Sequence, residues 1–493
     1  MNSGRIRRVF KWEYLFLLLI MALAFYVAFI PHQAYPYPVH LDEWQNLANF
    51  QALITAGSIT FPDPYLGGAV PQTPNAEIGF HVIWATFHQI SGIPWLTIFR
   101  YFPGVIFMIT VLSVYILVRR EGSGWEAALF TALIPTTVGI LGPAFLVPVA
   151  LGLPFIALSL FIAFNFRQWW SYGILFLFTC LLLAMHAATA VGLVRILAPY
   201  VLLNLKGNFK HSLGITLAVA IPFMGLIPYI FNLVLPMARS LFTPLYLPNV
   251  DIPFVIPTYG YLPVLLCLAG AIVLAVRGGK KSYGLIFGLL TLLLMLTVRY
   301  TFHYGTPIMY VRGLIYAMMM MSIVAGFGLA WVKNTRLPVG LMTRLKTPTI
   351  TRNVGYILCL ILVGLTLYIA IPARQNTPYY NMIDGEDYEV FMWIKENVDS
   401  SYSKAILDPW KATALTAITG KNVYSRIGDI PRPSDIEAYN FLKSGSANTT
   451  FLRENGLSIV YTRVYDGMQN VEYISDNPDL TEVRKYVYLL KED

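Results

Sequence analysis

The sequence is short of charge and of cysteine, and both shortages limit what the protein can be. Only 12% of its 493 residues are charged, whereas 56% are hydrophobic. Soluble proteins contain about 25% charged residues, so this composition excludes an ordinary soluble enzyme. Each of the three cysteines lies in an apolar run, and the sequence has no Cys-x-x-Cys pair, which excludes a disulfide framework and a thiolate metal site.

Acidic residues are nearly missing from residues 1–373. This part carries eight Asp or Glu against 22 Lys or Arg, a net charge of +14, whereas residues 374–493 carry a net charge of −5. The basic residues lie in short loops between apolar runs, which is typical of membrane proteins with basic cytoplasmic loops. The overall charge of +9 therefore does not indicate a nucleic-acid partner.

Eleven apolar runs reach or approach the roughly 20 residues that a helix needs to cross a bilayer. We interpret the first as a retained span, because it is too long for a signal peptide and no small-residue cleavage site follows. The predicted spans are 13–31, 99–118, 125–141, 143–164, 170–186, 189–205, 212–236, 258–276, 282–298, 311–332 and 353–371.

The basic loops also predict an orientation. With a cytoplasmic N-terminus, 17 of the 22 basic residues of the membrane part lie on the cytoplasmic side. The odd number of spans then places the last 120 residues outside the cell. The predicted fold class is a polytopic α-helical protein of the plasma membrane: a transmembrane domain over 1–373, with a first outer loop over 32–98, and an extracytoplasmic α/β domain over 374–493.

Two of the eight scarce acids are adjacent in this first loop, in the stretch HLDEW. Asp42 and Glu43 precede apolar residues at helical spacing, and Gly57 is a natural helix stop. We therefore expect a short amphipathic helix on the membrane surface, with Trp44 at the interface. A helix cap explains one carboxylate. Adjacent residues point about 100° apart on a helix, so the two carboxylates cannot both face the same proton. One is therefore a candidate base, and its neighbour holds an acceptor, a metal or an orienting partner.

The rest of the loop carries further polar residues. Asp63 lies in a turn rich in Pro and Gly, and His81, Trp84 and His88 are spaced along one helical face. The two histidines do not have the spacing of a zinc pair. We therefore expect His81 to serve packing or hydrogen bonding, and the sequence allows a divalent metal without requiring one.

Several cations fall near the predicted outer ends of the spans. Arg299, His303, Tyr304 and Arg312 surround the end of the ninth span, His186 ends the fifth, and Arg195 lies inside the sixth. Such a group fits the phosphate of an anionic lipid. Two simpler interpretations stay open: the arginines at helix ends reach towards the headgroups, and Arg195 has an internal partner.

The layout resembles that of the GT-C glycosyltransferases. HLDEW is similar to the first-loop motif of the protein O-mannosyltransferase and aminoarabinose-transferase branches, and GFHVIW and MHAATAVGLV are similar to stretches of archaeal and bacterial members. The resemblance implies inverting transfer of a sugar from a polyprenyl (dolichyl) phosphate donor to a protein, lipid or glycan acceptor. It implies catalytic roles for Asp42 and Glu43, and donor phosphate binding by Arg299, His303, Arg312 and Arg195. The supporting residues would be His40, Asp63, His81, His186 and Tyr304.

Other functions remain as alternatives. WWSYG at 169–173 looks close to the Trp-Trp-Asp-x-Gly motif of oligosaccharyltransferases, but Ser171 replaces the Asp and the stretch falls in a predicted inner loop. This disfavours transfer of a whole oligosaccharide to asparagine. A flippase or export subunit for lipid-linked glycans would need a continuous polar path, whereas the polar residues here gather on one side. A structural assembly subunit would not depend on Asp42.

Residues 374–493 have the pattern of an α/β domain. DYEVFMWIKENV and SDIEAYNFLKSG have helical periodicity, and KAILD, NVYSR and LSIVYTRVY are typical of short buried strands. We expect ordinary fold roles for Asp408, Trp410 and Lys411, with contact to an acceptor as the alternative.

Overall fold

A computed structural model describes residues 3–137, 139–240, 244, 252–335, 348–379, 381–428, 432–466 and 469–491. Of 3–11, 227–240, 252–255 and 348–352 it describes the helical backbone alone. The chain divides into two compact units. The membrane unit comprises Met1–Ala34 and Arg100–Pro378, and the sheet unit comprises Tyr35–Phe99 and Tyr379–Asp493. The first loop thus groups with the C-terminal residues, whereas the sequence analysis placed it with the membrane part.

The described helices are numbered in chain order, and a 3₁₀ turn over Ile30–His32 follows the first. They are α1 Ser3–Phe29, α2 Leu41–Ala56, α3 Ile78–Ser91, α4 Trp95–Arg119, α5 Gly124–Ala132, α6 Pro148–Asn165, α7 Trp169–Met185, α8 Ala187–Asn204, α9 Phe209–Ser240, α10 Ile252–Tyr259, α11 Tyr261–Arg277, α12 Lys280–Phe302, α13 Pro307–Asn334, α14 Pro348–Gln375, α15 Gly385–Asn397, α16 Pro409–Thr419, α17 Pro433–Lys443 and α18 Thr449–Glu454.

Eight of the described helices are long and apolar enough to cross a membrane: α1, α4, α6, α8, α9, α12, α13 and α14. Two shorter apolar helices, α7 and α11, coincide with two further predicted spans. Their side chains are apolar on all sides, which is typical of helices surrounded by lipid and protein. The prediction of a polytopic helical membrane fold is confirmed.

One predicted span has a different structure. The run 125–141 is helical only as far as Ala132, because Pro135 removes a backbone donor and Gly142-Pro143 cannot continue a helix. Non-helical backbone at membrane depth must find partners inside the protein. Here the Arg374 Nη2 donates to the carbonyl of Leu133 at 2.9 Å. The helix prediction was therefore wrong for the described residues 133–137 and 139–141.

The sheet unit contains a mixed five-stranded sheet in the order β2-β1-β3-β7-β6. β1 is parallel to β2 and β3, and β7 is antiparallel to β3 and β6. A separate hairpin pairs β4 with β5. The C-terminal α/β domain is confirmed: α15, α17 and β1 to β4 overlap the predicted segments, whereas α16, α18 and β5 to β7 were not predicted. The strands are β1 Lys404–Ile406, β2 Asn422–Val423, β3 Ile459–Tyr461, β4 Arg463–Asp466, β5 Gln469–Glu472, β6 Leu480–Arg484 and β7 Val487–Leu490.

The helix predicted after HLDEW is present as α2. It ends at Gly57, which has φ 59° and donates its N–H to the Leu53 carbonyl at 3.0 Å. The expected placement of Trp44 at the membrane interface was wrong, because Trp44 and Phe50 are completely buried, whereas the position of α2 on the membrane surface stays a prediction. α2 packs against α3 and α16 inside the sheet unit. Burying a large aromatic side chain stabilises a protein more than interfacial placement does.

Backbone contacts hold the first loop to the edge of the sheet. The Val423 N–H donates to the Tyr65 carbonyl at 2.7 Å, and the Asn422 side chain donates to the Pro64 carbonyl at 3.1 Å. The Arg426 guanidinium lies 4.4 Å from the centroid of the buried Tyr65 ring. These contacts explain why a segment near the N-terminus and the C-terminal residues form one unit.

Candidate active site

The two adjacent carboxylates at the start of α2 have different surroundings. His40 is the N-cap residue, and the Glu43 carboxylate accepts the backbone N–H groups of Val39 at 2.8 Å and His40 at 3.1 Å. Glu43 is completely buried. These bonds satisfy donors that a helix start leaves without partners, so Glu43 fixes the backbone that carries Asp42.

The Asp42 side chain is 32% exposed. Its Oδ1 lies 3.8 Å from the His40 Nδ1, but that nitrogen accepts the Asp42 backbone N–H at 3.1 Å. A ring nitrogen that accepts a hydrogen bond carries no proton. His40 is therefore neutral in this geometry, and the pair is not an ion pair. Asp42 offers an accessible carboxylate on a rigid helix start.

A polar cleft of about 260 Å³ extends along α2 in the sheet unit. Gln45 and Asn49 line it, and they follow Asp42 at i+3 and i+7, which is one helical face. Asp63 lies on the opposite wall, where its Oδ1 accepts the Tyr65 N–H at 2.8 Å and closes a turn. The structure thus places Asp63 near this cleft and gives it a local hydrogen bond.

His81 has the hydrogen-bonding role that the sequence analysis favoured. Its Nε2 lies 3.3 Å from the Asn46 Oδ1, and the ring is buried. Burial lowers the pKa of His81 to about 4, so the imidazole is neutral at pH 7. Among the described residues, no three His, Cys, Asp or Glu side chains lie close enough together to hold a metal ion.

The membrane unit holds a buried guanidinium at the end of α12. Arg299 is 1% exposed, and its Nη1 donates to the carbonyls of His303 at 2.6 Å and Gly305 at 3.1 Å. Its Nε and Nη2 are buried and have no hydrogen-bond partner within the described part of the chain. A buried cation with two unused donors is costly in a protein, which makes Arg299 a candidate anion ligand.

The turn after α12 shapes this position. His303 has φ 59° and Gly305 has φ 97°, so the chain reverses and directs both carbonyls at Arg299. Thr306 caps α13, and its buried hydroxyl makes no hydrogen bond among the described residues. The start of a long helix carries partial positive charge. A guanidinium, a hydroxyl and a helix start therefore meet at one turn.

Arg312, a predicted phosphate ligand, lies on α13, and His186, a predicted supporting residue, is the N-cap of α8 in the same unit. The His186 Nδ1 lies 2.7 Å from the Thr189 hydroxyl, which lies 2.7 Å from the Tyr316 hydroxyl. Arg312 is close enough for its charge to act on both His186 and Tyr316. These residues form a connected polar chain across two helices.

The other two predicted residues, Arg195 and Tyr304, are not part of this polar chain. The Arg195 guanidinium donates to the Met295 sulfur, an internal partner of the kind that the sequence analysis left open. Met295 is one helical turn before Arg299 on α12. Tyr304 is 40% exposed in the turn after α12.

An apolar groove of about 510 Å³ runs between α8 and α9. It begins near Val191, five residues after His186, and continues to Leu202 on α8 and Met224 on α9. Its walls are almost entirely aliphatic, so it suits a hydrocarbon chain. The groove and His186 thus share one helix.

Sequence reasoning missed several polar residues near these positions. Gln45 and Asn49 had a signal, because a helical projection from Asp42 places all three on one face. Thr306 also had one, since a Thr before Pro is typical of a helix start. Tyr316 gave no signal, because one aromatic residue in an apolar run is usually part of the core.

Comparison with known proteins identifies the fold class. No protein-family model matches the sequence, and a search of curated proteins finds no match. Among solved structures, the archaeal oligosaccharyltransferase AglB from Archaeoglobus fulgidus, in complex with an inhibitory peptide and a dolichol-phosphate, is similar with a TM-score of 0.61 at 12% identity. That match covers 92% of this chain and 69% of AglB.

Two further structures are similar. ArnT from Cupriavidus metallidurans, bound to undecaprenyl phosphate, has a TM-score of 0.56 at 10% identity over 92% of this chain and 96% of its own. The arabinofuranosyltransferase AftD from Mycobacteria has a TM-score of 0.59 at 16% identity over 95% of this chain and 37% of its own. The chain therefore has the GT-C fold of these multi-pass membrane proteins, as the resemblance predicted.

Proposed function

We propose that this protein transfers a sugar from a polyprenyl-phosphate donor to an acceptor, with inversion at the anomeric carbon. The observation that carries the proposal is Arg299, a buried guanidinium with two unused donors at the end of a membrane helix. A phosphate group is the natural partner for such a cation. The three similar structures described above are glycosyltransferases, and two of them hold a polyprenyl phosphate.

The membrane unit supplies the donor half of the reaction. The phosphate accepts hydrogen bonds from Arg299 and Thr306, and Arg312 and His303 add charge or donors nearby. The isoprenoid chain lies in the apolar groove between α8 and α9. As the bond between the sugar and the phosphate oxygen breaks, negative charge grows on that oxygen, and fixed cations stabilise it.

The sheet unit supplies the acceptor half. Asp42 takes the proton of the acceptor hydroxyl or amide, and the acceptor atom attacks the anomeric carbon from the face opposite the phosphate. Such a base contributes typically 10²–10⁴-fold to the rate. Glu43 and His40 hold the helix start in place. No step in this scheme uses a metal.

The charge distribution supports a site on the extracytoplasmic face of the plasma membrane. The basic loops favour a cytoplasmic N-terminus, and the same pattern assigns Asp42 and Arg299 to the other side. The oligosaccharyltransferase motif is incomplete, with Ser171 at its acidic position, so we propose a monosaccharide donor.

Donor consumption in native membranes tests the proposal. Membranes that contain the protein are offered a panel of labelled polyprenyl-monophosphate sugars, polyprenyl-diphosphate oligosaccharides and nucleotide sugars. We expect consumption of at least one monophosphate sugar, lost in Arg299→Ala and kept in Arg277→Ala, whose guanidinium is exposed and pairs with Glu121. Consumption of none, or of nucleotide sugars alone, would overturn it.

A further inference from the structure

The cleft along α2 is small and polar. Its volume is about 260 Å³, below the range of about 300–1,000 Å³ for sites of drug-sized ligands. It therefore accepts one small unit of a larger molecule. Its polar lining consists mainly of amide and hydroxyl side chains, among them Gln45, Asn49, Thr73 and Asn75.

The charges at the cleft are balanced. Asp63 and Arg426 are the charged residues that line it, and they have opposite signs. Arg426 is partly engaged, because its Nη1 donates to the Gln45 Oε1 at 2.9 Å and its guanidinium stacks on Tyr65, whereas its Nε has no partner among the described residues. An anionic ligand would need an excess of cations, so the lining favours a neutral one.

The walls also disfavour an extended peptide. Four prolines line the cleft: Pro62, Pro64, Pro71 and Pro74. Proline has no N–H group, so these segments cannot pair with an added strand. Amide side chains both donate and accept, which suits the neighbouring hydroxyl groups of a sugar, and proline rings offer apolar surface to its C–H groups.

The cleft begins at Gln45, about one helical turn after the proposed base. Asp42, Gln45 and Asn49 lie on one face of α2, and a residue seven positions along a helix is about 10 Å away. One sugar unit held against Gln45 and Asn49 thus keeps a hydroxyl group near the Asp42 end of the same helix.

We infer that this cleft is the acceptor subsite and that its ligand is a neutral sugar residue, so that the acceptor is a glycan. The inference rests on the proposed function, which leaves the acceptor open among proteins, lipids and glycans. It assigns Asn49 and Thr73 to acceptor binding, separate from the donor residues of the membrane unit.

Direct binding tests the inference without requiring the donor. The full chain in lipid nanodiscs is titrated with methyl glycosides of neutral aldoses, a methyl glucuronide and capped Ser, Thr and Asn peptides. We expect a neutral glycoside to bind with a millimolar Kd. The near-isosteric changes Asn49→Leu and Thr73→Val should each weaken binding about threefold to tenfold, as for one lost hydrogen bond. Thr73 is exposed, so its variant will fold.

Control variants separate binding from catalysis and from folding. Asn397→Ala changes an exposed amide on α15 and should leave the Kd unchanged. Asp42→Asn should also keep the Kd while it loses transfer. Preferential binding of the peptides or the glucuronide, no binding of neutral glycosides, or indifference to both cleft variants would overturn the inference. If donor-dependent transfer persists in that case, the proposed function stands; if no donor is consumed, the proposed function fails separately.

Discussion

The Glu43 carboxylate accepts the backbone N–H of His40 at 3.1 Å, and the His40 imidazole accepts the backbone N–H of Asp42 at the same distance. The Glu43 carboxylate is part of this reciprocal cap, whereas the Asp42 carboxylate is not. The adjacent acids therefore have separate surroundings: Glu43 orders the helix start, and Asp42 is the carboxylate that we propose meets the acceptor.

The cap predicts different effects for two Glu43 variants. Glu43→Gln keeps an oxygen that accepts the His40 N–H, whereas Glu43→Ala leaves two buried N–H groups without partners. We expect Glu43→Ala to lower the free energy of unfolding by about 1–3 kcal/mol and Glu43→Gln to lower it much less. Thermal unfolding of the purified protein measures both. Equal losses would contradict the capping role.

Arg299 predicts a defect in donor use. Removing its charge-assisted hydrogen bonds should lower kcat/KM for the donor roughly 10- to 100-fold, in Arg299→Lys as well as in Arg299→Ala, because an ammonium cannot replace the guanidinium geometry. Steady-state kinetics with varied donor measures the change, and Arg277→Ala is the matched control. Unchanged KM and kcat would remove Arg299 from the site.

A buried ion pair in the sheet unit predicts a large loss of stability when one of its members is substituted. Lys411 and Asp387 are completely buried, and the Lys411 Nζ lies 2.8 Å from the Asp387 Oδ1. Removing one member leaves a buried charge with fewer partners, so Lys411→Met should cost about 3 kcal/mol of stability. Lys443→Met should cost much less, because that lysine pairs with Asp466 at the surface. Denaturation of both variants tests this, and similar costs would contradict it.

Asp408 predicts a pH dependence of stability. Burial raises its pKa to about 6, whereas the pKa in the unfolded chain is about 3.9. Between pH 4 and 6 the folded chain holds a proton that the unfolded chain has released, so stability falls as the pH rises, by about 3 kcal/mol. Asp408→Asn should remove this loss, which denaturation midpoints at several pH values measure.

His81 acts in the opposite sense over nearly the same window. Its pKa is lowered to about 4 by burial, so the unfolded chain binds the extra proton and stability falls as the pH drops from 6.5 to 4. In the wild type the effects of Asp408 and His81 therefore oppose each other over this pH range. Asp408→Asn should become acid-sensitive, and His81→Gln should lose stability as the pH rises. Identical pH profiles for the three proteins would refute both assignments.

The sequence predicted the elements whose signals are local. Apolar length identified the membrane helices, and the Gly57 stop and the strand patterns around Ile406 and Val460 agree with the structure. The helix after Ala132 was wrong because the apolar run continues through Pro135, where composition still favours a span but backbone geometry does not.

Long-range partners could not be predicted from local patterns. Trp44 looks like an interfacial aromatic residue in sequence, yet it is buried because α2 packs against α16, about 370 residues further along the chain. The same applies to the cleft, where Gln45 meets Arg426. The position of Arg299 could not be predicted either, because it depends on the turn at His303. The backbone of His303 is left-handed although the residue is not a glycine, so the sequence gives no signal for the turn.

The most direct test of the central claim is the rate of sugar transfer from a labelled polyprenyl-phosphate donor by wild type, Asp42→Asn and Glu43→Gln in the same membranes. The account predicts that Asp42→Asn lowers kcat about 10²- to 10⁴-fold with donor binding retained, and that Glu43→Gln keeps most of the activity. Full activity in Asp42→Asn, or an equal loss in both variants, would contradict the assignment of Asp42 as the base.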